Sequence, residues 1–318
     1  MLRLLVWLCT YKCNLNCNHC YVKGRNVNEM NTEDAIRMIS EIVELNPRHF
    51  SITGGEPLLR KDIFTILKEA KKQGLNTSIV TNGLLLNEQV IDKLSKMDIY
   101  IYLSLDSASE ETFNKIRGWN RSKLLEKIEI LRKKNVEFST IMTIMPENYH
   151  EAGLFIELSL NIGAKHAALI PVIPSGGAKN KQLTQKQLIK AIESIDEKSN
   201  EYGYPTSLWC TPFAKWIKKS KYIYVGSCPD DSMDIDPAGN TLLCDVLEFK
   251  ISNVLKYGVK EAWLEYSRNP ISKNFRNPDI LEGKCMECRY KFKCVGGCKA
   301  RAYLTYGKFT YPDPLCPL

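Results

Sequence analysis

The stretch Leu4-Leu5-Val6-Trp7-Leu8-Cys9-Thr10-Tyr11-Lys12-Cys13-Asn14-Leu15-Asn16-Cys17-Asn18-His19-Cys20 runs from an apolar segment straight into three cysteines, and Thr53-Gly54-Gly55-Glu56-Pro57 closes the next β-rich run. The apolar segment 4–9 has no small-residue cleavage site behind it, so it reads as a strand and not as a signal peptide. The spacing Cys-x3-Cys-x2-Cys lets one loop wrap a single metal centre. Three ligands leave one position unfilled: a catalytic site if the metal is zinc, one iron open to an exogenous ligand if it is a four-iron cluster. Gly54 and Gly55 bring backbone close to a ligand, and the Glu56 carboxylate can hold an ammonium group.

Outward from these loops, β-rich runs alternate with amphipathic helical patterns as far as residue 203. Strands are expected over 2–8, 49–53, 77–81, 99–105, 136–142 and 166–170. Helices are expected over 32–45 with Thr32 as N-cap, over 61–73 closed by Gly74, and over 121–134. Six β-then-α units predict a parallel sheet whose right-handed crossovers curl it into an open partial barrel, with the chemistry on loops at the carboxyl ends of the strands. A Pro/Gly-rich loop over 171–183 precedes a last helix over 184–200. The alternation then stops, and a boundary is expected between 204 and 227. No internal repeat or low-complexity tract is evident.

The 318 residues suffice for one large α/β domain and a smaller one, with 44% hydrophobic and 25% charged residues as in ordinary globular chains. No apolar run approaches the roughly 18 residues a membrane span needs. The unusual figure is cysteine, 12 residues against 4 histidines. Without an export signal a reducing cytoplasm is expected, where thiolate ligation of metal is a better use of cysteine than disulfides. The formal charge of +8 points to acidic partners or nucleic acid, but clusters carrying about −1 to −2 each would offset roughly half of it. Lys218-Lys219-Ser220-Lys221 reads as solvated surface. Interleaved Lys299, Arg301, Tyr303, Tyr306, Lys308 and Tyr311 could stack and pair with nucleic acid, yet fit packing around a metal centre better.

Eight of the twelve cysteines lie beyond residue 203. Cys228 is followed by Gly239 and Cys244, and later come Cys285-x2-Cys288-x5-Cys294-x3-Cys298 and Cys316. The two short-spaced pairs alone would permit structural zinc sites.

Taken together, these motifs resemble those of radical S-adenosylmethionine (SAM) enzymes over essentially the whole chain. Cys13, Cys17, His19 and Cys20 match the family's Cys-x3-Cys-x-aromatic-Cys signature, and Gly54, Gly55 and Glu56 its Gly-Gly-Glu motif. Asn82, Ser104 and Asp106 (the last two as ribose-side contacts) and Asn148 follow in order as further SAM positions. The resemblance implies an α/β fold, a partial (β/α)6 TIM-like barrel with a small C-terminal cysteine-rich iron-sulfur domain: barrel 1–203, bridging segment 204–227 and SPASM domain 228–318. It implies that Cys13, Cys17 and Cys20 hold a [4Fe-4S] cluster that binds SAM, whose one-electron cleavage yields a 5′-deoxyadenosyl radical. The seven C-terminal cysteines resemble the SPASM extension. By motif position Cys285, Cys288, Cys294 and Cys316 bind a distal auxiliary [4Fe-4S] cluster, and Cys228, Cys244 and Cys298 a proximal one. Zinc leaves the SAM-type loops upstream unexplained. Cys9 reads as an inert core thiol, and Cys210 is either the fourth proximal ligand or a packing residue that leaves an iron open to substrate.

Within the SPASM group, Gly283-Lys284-Cys285, Gly296-Gly297-Cys298-Lys299-Ala300-Arg301-Ala302-Tyr303 and Asp313-Pro314-Leu315-Cys316-Pro317 look most like enzymes of the alternative haem and haem d1 pathways, and the same region also resembles the pyrroloquinoline quinone enzyme and other peptide maturases. The haem likeness implies cofactor maturation through tetrapyrrole (sirohaem-derived haem) side-chain modification, with Arg117, Lys165, Lys179 and Arg301 available to acidic side chains. The alternatives are a maturase of a ribosomally made peptide, which here would need a separate leader carrier, and modification of a pterin-type metal cofactor. A small-molecule or peptide substrate and an electron donor such as ferredoxin or flavodoxin are the partners implied, with no membrane and no nucleic acid.

Overall fold

The computed structural model describes residues 2–226 and 231–318, so Cys228 lies outside the described residues. In chain order the elements are β1 (Leu4–Thr10), α1 (Thr32–Ile42), β2 (His49–Gly54), α2 (Ile63–Lys72), β3 (Thr77–Thr81), α3 (Glu88–Lys96), β4 (Tyr100–Ser104), α4 (Glu110–Arg117), α5 (Arg121–Lys133), β5 (Phe138–Ile144), α6 (Ala152–Asn161), β6 (Ala167–Pro171) and α7 (Gln185–Glu201). After α7 come β7 (Thr206–Leu208), β8 (Ile223–Val225), β9 (Ser232–Ile235), β10 (Asn240–Leu242), β11 (Lys250–Asn253), α8 (Val254–Tyr257), α9 (Val259–Arg268), α10 (Pro270–Phe275), α11 (Lys291–Cys294) and α12 (Lys299–Tyr306). Among the described residues no helix is long and apolar enough to cross a membrane.

The chain divides into two compact units, each discontinuous in sequence. The first comprises Met1–Asn14, Val22–Tyr102 and Pro229–Asn274, the second Leu15–Tyr21, Leu103–Cys228 and Phe275–Leu318. In the first unit β1 pairs in parallel with β2 on one side and β9 on the other, and β2 pairs in parallel with β3. Leu5, Trp7, Leu8 and Cys9 are fully buried, the near-continuous apolar run of a strand covered on both faces. Strand β1 ends two residues later than expected, because Thr10 still pairs with Gly54 across an irregularity after Leu8. Helix α1 buries Ala35, Met38, Ile39 and Ile42, the i, i+3, i+4, i+7 stripe of an amphipathic helix. Its N-cap is Asn31 and not Thr32: the Asn31 side chain accepts from Asp34 N, while the Thr32 hydroxyl is drawn off to Asp62 at 2.8 Å. Strands β10 and β11 continue the sheet as an antiparallel ribbon beyond β9.

In the second unit β5, β6, β7 and β8 pair in parallel, in that order. Three residues each, β7 and β8 are too short to show a period in sequence, and they extend the sheet past Gly203, where the alternation breaks. Thr184 and Gln187 form a capping box at the start of α7, each side chain accepting from the other's backbone N–H.

Candidate metal centres

In the first unit the end of β2 lies backbone to backbone against the loop that leads to Cys13. Gly55 N donates to Thr10 O at 2.7 Å and Glu56 N to Lys12 O at 2.9 Å. A Cβ on Gly54 would stand 2.2 Å from Thr10 O, and one on Gly55 2.2 Å from Lys12 O. The glycine pair is therefore a steric requirement of this approach. Glu56 is fully buried. Its carboxylate accepts from Thr81 Oγ1 at 2.8 Å, Leu58 N at 3.1 Å and Asn82 N at 2.8 Å. Asn82 carries the link onward, donating through Nδ2 to Asn14 Oδ1 at 2.8 Å and standing 3.8 Å from Cys13 Sγ. Cys13 itself is exposed.

The second unit holds Cys17, buried, and Cys20, half-buried. Arg117, at the end of α4, places Nη1 3.9 Å from Cys17 Sγ and donates through Nε to Asp106 Oδ2 at 2.6 Å. His19 Nε2 lies 3.4 Å from the same oxygen, and Thr143 N donates to the other at 2.7 Å. Burial on its own would raise the Asp106 pKa; the Arg117 guanidinium first, then His19 and the Thr143 N–H, hold it below the usual carboxylate range. Burial is also the main influence on His19, which it drives toward the neutral form. Asn148 is buried and joins two loops. Its Oδ1 accepts from Met145 N, and its Nδ2 donates to Asp106 O at 2.7 Å and Thr143 O at 2.9 Å. Ser104 is half-buried at the carboxyl end of β4. Gly177 N donates to Cys20 O at 2.9 Å, and a Cβ on Gly176 would stand 2.6 Å from that oxygen. The Pro/Gly-rich loop therefore packs on the cysteine loop, a contact its composition alone did not reveal.

Cys285, Cys288, Cys294 and Cys316 line one small cavity in the second unit, together with Phe213, Tyr290 and Gly296. Burial, then the neighbouring sulfurs, pushes Cys285 up, and burial with Cys316 beside it pushes Cys294 up to about 12. Burial also raises Cys316, and cationic iron is the kind of group that reverses such an opposition to thiolate formation. The residues fit a cluster. Cys298 caps α12, with Arg301 N donating to its Sγ at 3.4 Å. A hydrogen bond from Cys210, helped by the Arg301 guanidinium, holds the Cys298 thiol below its usual range despite burial. Cys210 adopts a left-handed backbone at φ 55°. In the first unit, ligand atoms of Asp234, Cys244 and Asp245 lie within 4.8 Å of one another. Cys9 is fully buried, and burial raises its pKa strongly.

Two cations expected to meet an acidic substrate are not available to one. Arg117 is committed to Asp106, and Arg301 pairs with Asp313 at 2.6 Å, with 2% and 0% of the two side chains exposed. Arg301 also donates to Val172 O and Pro171 O. Lys165 pairs with Glu137 at 3.3 Å, at the amino ends of β5 and β6, away from the loops that carry Cys17 and Asp106. Lys179 is exposed in the loop after β6. Of the basic-aromatic run, Lys299 and Arg301 are buried at 3% and 2% exposure and Tyr303 stacks on Phe309 at 4.4 Å, whereas Tyr306 is exposed.

Residues 7–158 match the family model described as the Radical SAM superfamily. AdoMet-dependent heme synthase of Methanosarcina barkeri is 27% identical over 99% of this chain and 96% of its own length. PqqA peptide cyclase of Granulibacter bethesdensis is 25% identical over 97% of this chain and 85% of its own. Among solved structures, Streptococcus suis SuiB bound to S-adenosylmethionine superposes with a TM-score of 0.79 at 17% identity, covering 99% of this chain and 77% of that one. The fold expected from the sequence, a partial (β/α)6 barrel with a cysteine-rich C-terminal region, is the fold found.

Proposed function

We propose that this chain, whose residues 7–158 match the Radical SAM superfamily model, works as a radical SAM enzyme that abstracts hydrogen from the side chain of a tetrapyrrole of the sirohaem-derived haem type. The superfamily's cofactors are a [4Fe-4S] cluster and SAM, and when bound they supply one-electron cleavage of the sulfonium to methionine and a 5′-deoxyadenosyl radical. Cys13, Cys17 and Cys20 are the ligands we assign to that cluster, on their spacing within one loop. The chain's own part is to position. Gly54 and Gly55 seat β2 on the Cys13 loop, Glu56 and Asn82 brace it, and Arg117 stands beside the Cys17 sulfur. Gly54, Gly55, Glu56, Asn82, Ser104, Asp106 and Asn148 remain the proposed SAM positions, with Asp106 and Asn148 shaping the site through the bonds they already make. The proposed domain division is 1–203, 204–227 and 228–318.

We assign Cys285, Cys288, Cys294 and Cys316 to a distal auxiliary cluster, and Cys228, Cys244 and Cys298 to a proximal one. Cys210 joins the proximal set. Its contact with Cys298 and its left-handed backbone, a conformation that costs about 1–2 kcal/mol, are the kind of strain kept at functional positions.

The tetrapyrrole reading rests on one observation: the likeness to AdoMet-dependent heme synthase runs through both the barrel and the cysteine-rich third, over 99% of this chain and 96% of that one. Lys179, exposed after β6, is the cation left to meet a propionate. The peptide-maturase reading is favoured by the likeness to PqqA peptide cyclase, 25% over 97% of the chain. The test is an anaerobic incubation of the reconstituted enzyme with reductant and SAM, offering an iron tetrapyrrole with propionate side chains or short linear peptides. Tetrapyrrole-stimulated release of 5′-deoxyadenosine with a mass change in the tetrapyrrole supports the first reading; stimulation by peptides alone overturns it.

A further inference from the structure

We propose that the exposed face around Met286, Tyr290 and Phe292 docks a small acidic electron-carrier protein, which delivers one electron to a cluster held by Cys285, Cys288, Cys294 and Cys316. This rests on the assignment of a cluster to those four cysteines.

The segment 284–293 exposes apolar side chains interleaved with cations. Met286 is 60% exposed and Phe292 66%. Between them Tyr290 stacks on Trp216 at 4.1 Å and 18°, Arg289 lies 4.7 Å over the Tyr290 ring, and Lys291 lies 5.0 Å over Phe292. Over residues 284–293 four cations (Lys284, Arg289, Lys291, Lys293) stand against one anion, Glu287. Exposed apolar groups rimmed by charge mark interaction sites.

The same short segment walls the sulfurs. Tyr290, Lys284 and Lys291 line the cavity with the four cysteines, and Lys291, Phe292 and Lys293 share the single turn of α11 with Cys294. The exposed segment and the sulfurs are thus direct neighbours, which gives an electron a short path. A partner with an acidic surface is steered to such cations, and weak redox encounters need little buried area. A second copy of this chain, with its own net charge of +8, would set like charges face to face. A nucleic acid would find the Tyr290 ring already stacked on Trp216. The step moves one electron and no atoms: the carrier is oxidised by one electron and the cluster reduced by one.

The experiment is stopped-flow oxidation of a reduced acidic ferredoxin by the fully reconstituted chain, at roughly 50 and 300 mM salt, with the methyl viologen radical cation as a small cationic control. The variants are R289E/K293E and Phe292→Ala. For the wild type the ferredoxin rate should fall steeply with salt. In R289E/K293E it should drop at least about tenfold at low salt and lose most of its salt dependence, with iron content and the methyl viologen rate held or raised. Phe292→Ala should slow ferredoxin while leaving the salt slope intact. An unchanged ferredoxin rate in R289E/K293E, or a single-stranded oligonucleotide retained by the wild type and lost by that variant, would overturn the proposal. Iron content separates it from the reading beneath it: a C285S/C288S variant that fails to lose about four iron per chain removes the cluster assignment itself, whatever the rates.

Discussion

Gly55→Ala tests how the cysteine loop is held. The added Cβ would stand 2.2 Å from Lys12 O, 2.7 Å from Lys12 C and 2.8 Å from Tyr11 O, where ordinary contact begins at 3.4 Å. Relief requires a movement of about 1.2 Å, the difference between 3.4 and 2.2 Å. All three blocking atoms are backbone, so no side chain can swing aside. The movement must part Glu56 N from Lys12 O and Gly55 N from Thr10 O, and it displaces Cys13, the next residue along. Overpacking of this kind costs about 1–3 kcal/mol, which a folded chain of this size survives. Misplacing a reacting centre by about 1 Å costs on the order of 10²-fold in rate. The assay is 5′-deoxyadenosine release by the anaerobically reconstituted variant, with iron content and circular dichroism beside it. Cleavage should fall at least about a hundredfold while the helical signal stays intact. Gly74→Ala is the control: its Cβ meets nothing within 4 Å, but φ is +77°, so it should cost about 1–2 kcal/mol of stability and leave cleavage unchanged. Wild-type cleavage by Gly55→Ala refutes the steric argument.

Asp106→Asn should destabilise by about 3–5 kcal/mol in urea at neutral pH, because it leaves Arg117 buried without its counter-charge. The same variant carries a pH signature. The folded pKa of Asp106 lies below the ordinary 3.8, so its stabilisation is complete above the unfolded value and is lost as pH falls through the folded one. Acid unfolding below about pH 4 should therefore be less steep in Asp106→Asn than in the wild type; equal slopes would show that the pair contributes nothing. Cys210→Ala should change the EPR line shape of the reduced auxiliary clusters and leave the response to added SAM in place, whereas identical spectra would make Cys210 a packing residue.

Much of this was legible in the chain. The six barrel strands lie within two residues of their expected places, because fully buried parallel strands and amphipathic helices write strong periods. Asn31 displaced Thr32 as a cap because the Thr32 hydroxyl found Asp62, a partner 30 residues away that no local pattern shows. Strands β7 and β8 were invisible at three residues each. Arg117 and Arg301 looked like free cations, since sequence does not reveal that Asp106 and Asp313 lie 2.6 Å from them. The contact of Gly176 and Gly177 with Cys20 was hidden for the same reason: a glycine's purpose depends on what approaches it.

The most direct measurement is EPR on the dithionite-reduced, oxygen-free protein before and after addition of SAM, with methionine and 5′-deoxyadenosine quantified in the same samples. The account predicts a shifted cluster signal and equimolar release of the two products, both abolished in Cys13→Ala while auxiliary iron is retained. An unshifted signal with neither product formed would contradict it.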